Sequence, residues 1–495
     1  MNLLEVLMQI QKKLALLLAA LMILPMLASC ASGDTETQTA DTAPADTAPV
    51  ETEMTKATTP DTLPDGLDFG GETIRIIQGK SSEHDDEIYV EEDTGEALCS
   101  AIFARQTAVE ERLNVKIDNI IHEKEASEPA QTAITAGVDD YDIVLGAQWK
   151  MMKQSTMGLY MNVYDMPYLD LDQPWWNQIF LQNSALGDNR AYYLCGDATI
   201  SMLRAMGVIF VNATVYTNAI DTIDSLYETV LAGDWTLDLM HQTTETVYQD
   251  TNGNGVGDAG DIFGYASHKI SQCDYLVGGA RMVFTEYDSE GIPKLVINNE
   301  RAIGLYEKIY KLLNENQGTF ILPASWEGEL EGIDMMKEDK LLFLPFRAGM
   351  TSYLRDMESD YAVLPAPKYD EAQSEYSTMV HDASRVLAVP VTNSKLDATG
   401  AFLEAFGAES YRKVTDVYFN TILKEKLARD QYVAEIFDII LGGVYFDFAV
   451  LHSYALDSIG QIFRDPNGTF ASRYQSKEKG YLTKLDELIE TYMGE

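Results

Sequence analysis

Twelve consecutive residues, from Asp250 to Asp261, have the types and spacing of a calcium-binding loop. Calcium prefers about six to eight oxygen ligands, and an EF-hand loop supplies them from alternating positions around a glycine at its sixth position. Gly255 occupies that sixth position. The ligands that this register predicts are Asp250, Asn252, Asn254, the carbonyl of Val256, Asp258 and Asp261.

Two residues of this loop depart from the usual pattern and are expected to weaken its affinity. Gly257 stands where an apolar residue is usual, and Asp261 replaces a bidentate glutamate. We predict a structural calcium ion, and an acidic turn without metal is the alternative. The glycine pattern from Gly255 to Gly260 is not a dinucleotide site, because no strand precedes it and its carboxylates would repel a pyrophosphate.

Residue types of a hydrolase triad occur together at His381, Asp382 and Ser384, but within one short segment. The chain has no G-x-S-x-G elbow and no H-E-x-x-H motif. With six scattered histidines, a catalytic zinc site is not expected. The sequence therefore predicts no catalytic residue.

Aromatic residues offer a different chemistry, because sugars stack flat apolar faces on Trp or Tyr while polar side chains bond their hydroxyls. The chain has 27 Tyr and 5 Trp. Trp149 follows a predicted strand and is the best candidate for a stacking platform. Trp235 reads as a structural residue at a helix start, whereas Trp175 and Trp176 fit either a core or a lobe surface.

The first thirty residues have the order of a lipoprotein signal peptide. Lys12 and Lys13 precede an apolar run from Leu14 to Ala28, shorter than the roughly 20 residues of a membrane span. The run ends at Cys30 in a Leu-Ala-Ser-Cys sequence, which resembles a bacterial lipobox and predicts a diacylglycerol on that cysteine. Residues 31–65 are rich in Thr, Asp, Ala and Pro and are expected to form a disordered acidic tether.

The formal net charge of −42 limits the classes of ligand that the protein can bind. Such a field repels polyanions, so nucleic acid and anionic lipid are not expected as direct ligands. Beyond Cys30 the chain has Cys99, Cys195 and Cys273, which permit at most one disulfide. The fold is therefore not expected to depend on a disulfide framework.

Apolar segments that alternate between strand and helix patterns predict an α/β fold over residues 66–495. Strands are expected at 73–77, 115–117 and 141–145, with helical stretches between them, and again at 340–345, 361–365 and 385–390. Further helices are expected at 303–313, 398–406 and 416–440. The alternation over 73–145 favours an open, mostly parallel sheet, and the whole order favours two α/β lobes with chain crossings between them.

Four segments, at 68–77, 230–240, 361–376 and 424–440, together resemble extracellular solute-binding lipoproteins of bacterial ABC importers, of the maltose-binding-protein-like class. The resemblance spans about residues 66 to 493. It implies two lobes joined by a hinge that close over a solute, for which we expect a sugar, and partners among ABC permease subunits. We expect a monomer on the outer face of the cell membrane, held there by its lipid.

Ligands of open α/β sheets sit beyond the carboxyl ends of the strands. Gln148 and Trp149 follow one strand of the first lobe, at a place that supplies ligand contacts in maltose-binding-like proteins. Asp197 follows a short strand, and Phe346 and Arg347 follow a strand of the second lobe. The alternative is that Phe346 packs in the core and Arg347 pairs with an acid. Weaker additions to the predicted ligand-binding set are Trp326 and Asp382.

Three classes of function remain open on the sequence. A binding component of a transporter, without catalysis, fits the resemblance. An extracellular carbohydrate-active enzyme, such as a glycoside hydrolase with paired carboxylates, is not excluded by so acidic a chain. An adhesion or scaffold protein fits the tether and the calcium loop but not two α/β lobes.

Overall fold

The computed structural model describes residues 56–81, 85–187, 189–424 and 432–494. The predicted signal peptide, Cys30 and residues 31–55 of the expected tether lie outside the described residues. The strands are β1 (Glu72–Gly79), β2 (Val115–His122), β3 (Ile143–Ala147), β4 (Gly207–Asn212), β5 (Phe263–Ser267), β6 (Thr285–Tyr287), β7 (Pro293–Leu295), β8 (Thr319–Ile321), β9 (Leu341–Arg347), β10 (Tyr361–Pro365), β11 (Thr378–Met379), β12 (Arg385–Ala388) and β13 (Val444–Tyr445).

Fifteen α-helices occur among the described residues, several of them only one or two turns long. They are α1 (Ala97–Leu113), α2 (Ser127–Thr135), α3 (Gln148–Met152), α4 (Gln178–Ser184), α5 (Ser201–Ala205), α6 (Ala213–Ala219), α7 (Ile223–Leu231), α8 (Leu237–Val247), α9 (Cys273–Gly279), α10 (Glu300–Tyr310), α11 (Trp326–Lys337), α12 (Leu396–Lys413), α13 (Val433–Gly442), α14 (Phe448–Leu451) and α15 (Phe470–Met493). Within the described residues, none of the helices is both long and apolar enough to cross a membrane.

The first lobe is built on a four-stranded sheet of order β12-β3-β1-β2. Strand β1 runs parallel to β2 and to β3, with Ile76 opposite Ile143, while β12 is antiparallel to β3. Ile74, Ile76 and Ile77 are buried because helices cover the sheet, as parallel strands require. The carboxyl ends of the parallel strands therefore meet at one edge.

The second lobe is built on a five-stranded sheet of order β10-β4-β9-β5-β8. Strand β4 lies antiparallel to both β9 and β10, whereas β5 is parallel to β9 and β8. Every residue of β4 is buried, as its continuous apolar run Gly207 to Val211 would require of a central strand. Strand β9 ends at Arg347, beside the end of β5 at Ser267.

The chain passes between the two lobes more than once. It enters the second lobe through α5 and β4, returns through residues 380–384 to β12 and, after α12, reaches the second lobe again through the carboxyl-terminal helices. Strands β11 and β13 pair in parallel beside these crossings. The two lobes are thus joined by several backbone segments, as the sequence analysis expected, and the two-lobed α/β fold is confirmed.

Three tryptophans form part of the packing in the lobes. Trp175 and Trp176 are fully buried in the first lobe, where a Cβ added at Gly407 would lie 2.6 Å from the Trp175 ring. This settles their open interpretation in favour of the core. Trp235 is also fully buried, and its indole N–H donates to the carbonyl of Pro365 over 3.0 Å, so its structural interpretation is confirmed.

The last ten residues of the expected tether contact the first lobe. Lys56 pairs with Asp416 at 2.7 Å, and Asp61 accepts hydrogen bonds from Arg112 and Arg412. Although burial raises the pKa of Asp61, the two guanidinium groups lower it to about 2. The prediction of disorder is therefore wrong for residues 56–65. Their polar composition suggested a free tether, but their charged side chains form ion pairs with the lobe.

Element boundaries differ from the sequence prediction where the chain departs from regular periodicity. The helix predicted over 416–440 is a π-helical stretch, Val417–Lys424, followed by α13 from Val433; residues 425–431 lie outside the description. Strands β4 and β5 were not predicted. The cysteines Cys99, Cys195 and Cys273 are all free thiols, so no disulfide joins them.

Candidate functional site

The end of β3 in the first lobe is fixed to the crossing segment 380–384. The backbone N–H of Gln148 donates to the carbonyl of Ser384 over 2.7 Å, and that of Trp149 donates to the carbonyl of Asp382 over 3.1 Å. These bonds continue the antiparallel pairing of β3 with β12, in which Ala147 lies opposite Arg385. They place Gln148, Trp149 and Asp382 together at this edge of the first lobe.

Trp149 presents a half-buried ring at this edge. Its ring centroid lies 5.0 Å from that of Tyr454 at an interplanar angle of 40°, and the Lys150 ammonium is 4.7 Å from the indole. Aromatic pairs at this distance stabilise each other by about 0.5–1.5 kcal/mol beyond their burial. The pair forms a fixed aromatic surface of the kind that stacks on a sugar face.

Gln148 is more deeply placed than Trp149. It is 6% exposed, and its side-chain amide donates to the carbonyl of Leu451 in α14. Its side chain therefore links the first lobe to the carboxyl-terminal segment as well as lining the cleft.

The second lobe contributes Arg347 and Trp326 to the same region. Arg347 is the last residue of β9, and its guanidinium carbon lies 5.9 Å from the ring centroid of Trp326. Trp326 begins α11, is 38% exposed, and packs edge-on against Tyr353 at 5.9 Å. An exposed indole beside a cation is a second surface on which a flat ligand face could stack.

Tyr275 in α9 is buried, and its ring lies 5.9 Å from that of the partly buried His381 in the crossing segment. Burial and, after it, the positive charge of Arg347 lower the pKa of His381 to about 3. The same guanidinium acts on the pKa of Asp382, where it opposes the increase caused by burial. Arg347 therefore lies close enough to residues 381 and 382 for its charge to be felt across the cleft.

An ion-pair cluster forms the inner part of the site. Arg464 lies 2.5 Å from Asp274 and 3.8 Å from Asp382. Burial raises the pKa of Asp274 to about 6, an effect that the charge of Arg464 partly offsets. The cluster presents both carboxylate acceptors and a guanidinium donor next to Gln148.

A cavity of about 60 Å³ opens where the first-lobe edge, the crossing segment and the second lobe meet. Its walls are largely apolar, and the polar side chains among them are those of Gln148, Asp274, Asp382, Tyr445, Asp447, Ser453 and Arg464. A few polar groups on an otherwise apolar wall are typical of small-molecule sites. Its apolar lining residues include Val277, Phe284, Met379, Phe446, Val450 and Leu451.

Two predicted ligand residues are placed elsewhere. The carboxylate of Asp197 accepts a hydrogen bond from Thr415 over 2.8 Å, and its electrostatic neighbours are Lys56 and Asp416. It therefore lies on the side of the first lobe that holds the start of the described chain. Phe346 is 1% exposed and belongs to the core of the second lobe, where the guanidinium carbon of Arg347 lies 5.5 Å from its ring centroid.

The loop from Asp250 to Asp261 closes on its own carboxylates. Asp250 accepts the N–H groups of Gly253 and Gly255 over 2.7 and 2.8 Å. The side-chain amides of Asn252 and Asn254 lie 3.2 and 2.7 Å from one oxygen of Asp258. The side chains of Asn252, Asn254 and Asp258 therefore point towards one another inside the loop.

Asp261 completes this loop from a fully buried position. Its carboxylate accepts N–H groups of Thr251 and Asp258 over 3.0 and 3.2 Å. Val256, whose carbonyl is the expected seventh-position ligand, has an exposed side chain. Across the described ranges, no group of three or more His, Cys, Asp or Glu side chains is arranged to hold a metal ion. Calcium binding stays a prediction from the motif.

The residues that sequence reasoning missed are Asp274, Tyr275, Tyr454 and Arg464. None of them directly follows a strand, so the strand-end rule does not select them. Arg464 reaches the cleft from the segment between α14 and α15, which has no regular pattern of its own. Only the tertiary packing of the carboxyl-terminal segment brings it beside α9.

Comparison with solved structures finds the same fold in other proteins, some of them named for a sugar or solved in complex with one. The galacto-N-biose-/lacto-N-biose I-binding protein of an ABC transporter from Bifidobacterium longum matches with a TM-score of 0.56 and 11% identity, over 85% of this chain and 98% of that one. UspC of M. tuberculosis matches with a TM-score of 0.53 and 12% identity, over 83% and 100%.

A third structure, the ABC substrate-binding protein Lmo0181 from Listeria monocytogenes in complex with cycloalternan, has a TM-score of 0.51 and 13% identity, over 86% of this chain and 99% of that one. No protein-family model and no curated protein matches the chain. At these identities the similarity establishes the two-lobed, maltose-binding-protein-like fold.

Proposed function

We propose that this chain captures a small carbohydrate between its two lobes and delivers it to a membrane importer, without catalysing a reaction. The observation that carries the proposal is the presence of two aromatic surfaces, Trp149 with Tyr454 and Trp326 with Arg347. The charges of Asp382 and Arg464 act on Tyr454, and that of Arg347 acts on Asp382, so polar groups lie close to both surfaces. The structural neighbours, which include proteins with bound or named sugars, support the same ligand class.

A glycoside hydrolase is the competing function, because the carboxylates of Asp274, Asp382 and Asp447 line the same cavity. Asp447 already accepts the backbone N–H groups of Phe284 and Thr285. A hydrolase needs one carboxylate free to protonate the leaving group and another free to act on the opposite side of the bond. Asp274 and Asp382 instead flank one guanidinium, that of Arg464, at 2.5 and 3.8 Å. This arrangement favours hydrogen bonding to hydroxyl groups over proton transfer.

A thermal-shift screen over monosaccharides, oligosaccharides and peptides tests the proposal. A ligand present at 100 times its dissociation constant should stabilise the folded protein by about 2.7 kcal/mol. Saturable stabilisation by one class of sugar without release of reducing ends is the expected result. Release of reducing sugar from an oligosaccharide would support the hydrolase instead, and stabilisation by peptides alone would contradict a carbohydrate ligand.

Attachment to the outer face of the cell membrane through a lipid on Cys30 is part of the same proposal. The support is the order of basic, apolar and small residues that ends at this cysteine. Two or more acyl chains give stable anchoring, whereas one chain is marginal. ABC permease subunits are the partners that this placement implies.

A further inference from the structure

A second cavity lies outside the cleft, between the segment 458–465 and the first turns of α15. Its volume is about 190 Å³, which suits a small ion or molecule, and it is partly open to solvent. Its polar lining differs from that of the cleft because donors predominate. The donors are those of Ser458, Gln461, Arg473, Lys477 and Tyr481.

Two cations stand one helical turn apart on this wall. Arg473 donates to the backbone carbonyl of Asp465 over 2.9 Å, and the ammonium of Lys477 lies 5.9 Å from the ring of Tyr481. Neither cation has a carboxylate partner in the part of the chain that the structure describes. In a chain with 78 acidic and 36 basic residues, two adjacent cations without an acid are unusual. Their charge is available to an anion from solution.

A buried hydroxyl group gives an independent indication of a ligand. Tyr481 lines the cavity and is 0% exposed, yet its hydroxyl has no hydrogen-bond partner among the described residues. A buried donor without a partner costs about 1–3 kcal/mol, so each case in a native protein needs an explanation. A ligand oxygen in the cavity would accept this bond.

The protonation state of Tyr481 suits a donor. Burial and the negative charge of Asp457 raise the pKa of Tyr481 to about 12, while Arg473 acts in the opposite direction. The hydroxyl therefore keeps its proton at neutral pH. Asp465, an exposed acid that also lines the cavity, opposes an anion and would limit its affinity.

We propose that this cavity binds a small oxyanion, namely a phosphate group, free or carried as an ester on a small molecule. Arg473 and Lys477 supply charge and charge-assisted hydrogen bonds, and Tyr481 donates a third bond. The proposal does not depend on the carbohydrate function. Because Arg464 lines both cavities, it also gives the two sites a common wall.

Isothermal titration with inorganic phosphate, at an ionic strength held constant with sodium chloride, tests the proposal in the parent protein. A sugar phosphate is titrated in a second experiment. Tighter binding of this ester than of inorganic phosphate would identify an ester as the ligand, whereas equal binding would identify the free anion. A parent protein with no saturable heat at about 10 mM of either, well above a weak millimolar dissociation constant, would overturn the proposal.

Three variants distinguish specific binding in the cavity from a general effect of positive charge. Arg473→Gln with Lys477→Gln should weaken phosphate binding at least tenfold, whereas Lys479→Gln, on the exposed face of the same helix, should keep the parent affinity. Tyr481→Phe should bind more weakly but melt at the same or a higher temperature without phosphate, because it loses an unpartnered hydroxyl. Equal losses in the double variant and in Lys479→Gln would contradict the site.

Discussion

The guanidinium of Arg464 lies 2.5 Å from the carboxylate of Asp274, although 190 positions separate the two residues. The Arg464 side chain is 11% exposed and that of Asp274 is 16% exposed, and Asp382 approaches the same guanidinium at 3.8 Å. One arginine thus joins the carboxyl-terminal segment, α9 and the crossing segment at the inner end of the cleft.

Replacing Arg464 by Gln should therefore lower the free energy of unfolding. Loss of one member of a buried pair leaves an uncompensated charge, which costs roughly 3–5 kcal/mol when burial is complete, so about 2–4 kcal/mol is expected here. Urea denaturation of parent and variant measures the change. Arg355→Gln, at an exposed position, is the control and should change stability by less than about 0.5 kcal/mol. Similar values for both variants would show that the pair is not stabilising.

Replacing Trp149 or Arg347 by Ala should weaken solute binding about tenfold or more in each case, because closure needs contacts from both lobes. Isothermal titration with a ligand from the sugar screen measures the change, and circular dichroism checks the fold. Asp197→Asn is the matched control, since this residue contacts Thr415 rather than the cleft. Parent-like affinity in both cleft variants would remove this edge from the binding site.

Calcium should raise the melting temperature of the parent protein, and EDTA should lower it, because the loop from Asp250 to Asp261 would be held by the ion. A double variant, Asp250→Ala with Asp258→Ala, should lose this response. Magnesium at the same concentration serves as the ionic control. Identical melting of the parent with calcium and with chelator would end the hypothesis, and sugar affinity should change little in either case.

Stability should fall as pH rises between about 4.5 and 7 because of Glu404. This residue is fully buried; its Oε2 accepts N–H groups of Trp175, Trp176 and Asp170, while Oε1 has no partner among the described residues. Burial raises its pKa to about 7. The folded protein therefore holds this proton more tightly than the unfolded chain does, and losing it at higher pH costs stability.

A Glu404→Gln variant resembles the protonated form and should remove this fall. At pH 8 it should be more stable than the parent by about 2 kcal/mol, while at about pH 4.5 the two should be nearly equal. Chemical denaturation at both pH values measures the difference. Glu111→Gln, at an exposed position on α1, should show no such divergence. A Glu404 variant less stable than the parent at pH 8 would contradict the assignment.

Replacing Cys30 by Ala should release the protein from membranes, because no lipid could then be attached. Fractionation of cells that express parent and variant measures this. Cys99→Ala, which alters a thiol in the folded part, should leave the fractionation unchanged. A Cys30→Ala protein that still sediments with membranes would refute lipid anchoring at this residue.

Sequence periodicity predicted helices and strands correctly where the element has a usual length and is bounded by turn residues. Strand β10 was predicted with the observed limits, Tyr361 to Pro365, because turn residues bound a short apolar run. Strand β4 escaped prediction although all of it is buried, because its apolar run continues from and into helical residues. A run of this kind does not reveal its conformation without its neighbours.

The residues of the candidate site also fall into those that a local sequence pattern predicts and those that it does not. Gln148, Trp149 and Arg347 follow strand ends, and the rule for open sheets places such residues at the ligand edge. Asp197 satisfied the same rule but is held by Thr415, a contact made across 218 positions that no local pattern reveals. Arg464 and Asp274 were missed because their proximity results from chain packing alone.

The attachment of residues 56–65 to the first lobe has a mechanical consequence. Lys56 and Asp61 are bound to residues that belong to or flank α1 and α12, so any pull from the amino-terminal side reaches the first lobe before any other part of the described chain. If the protein is anchored through its amino-terminal side, the first lobe would stay fixed relative to the anchor. The second lobe, which is joined to it by the crossing segments, would then make the closing movement, and the orientation of the first lobe would set the direction in which the cleft opens.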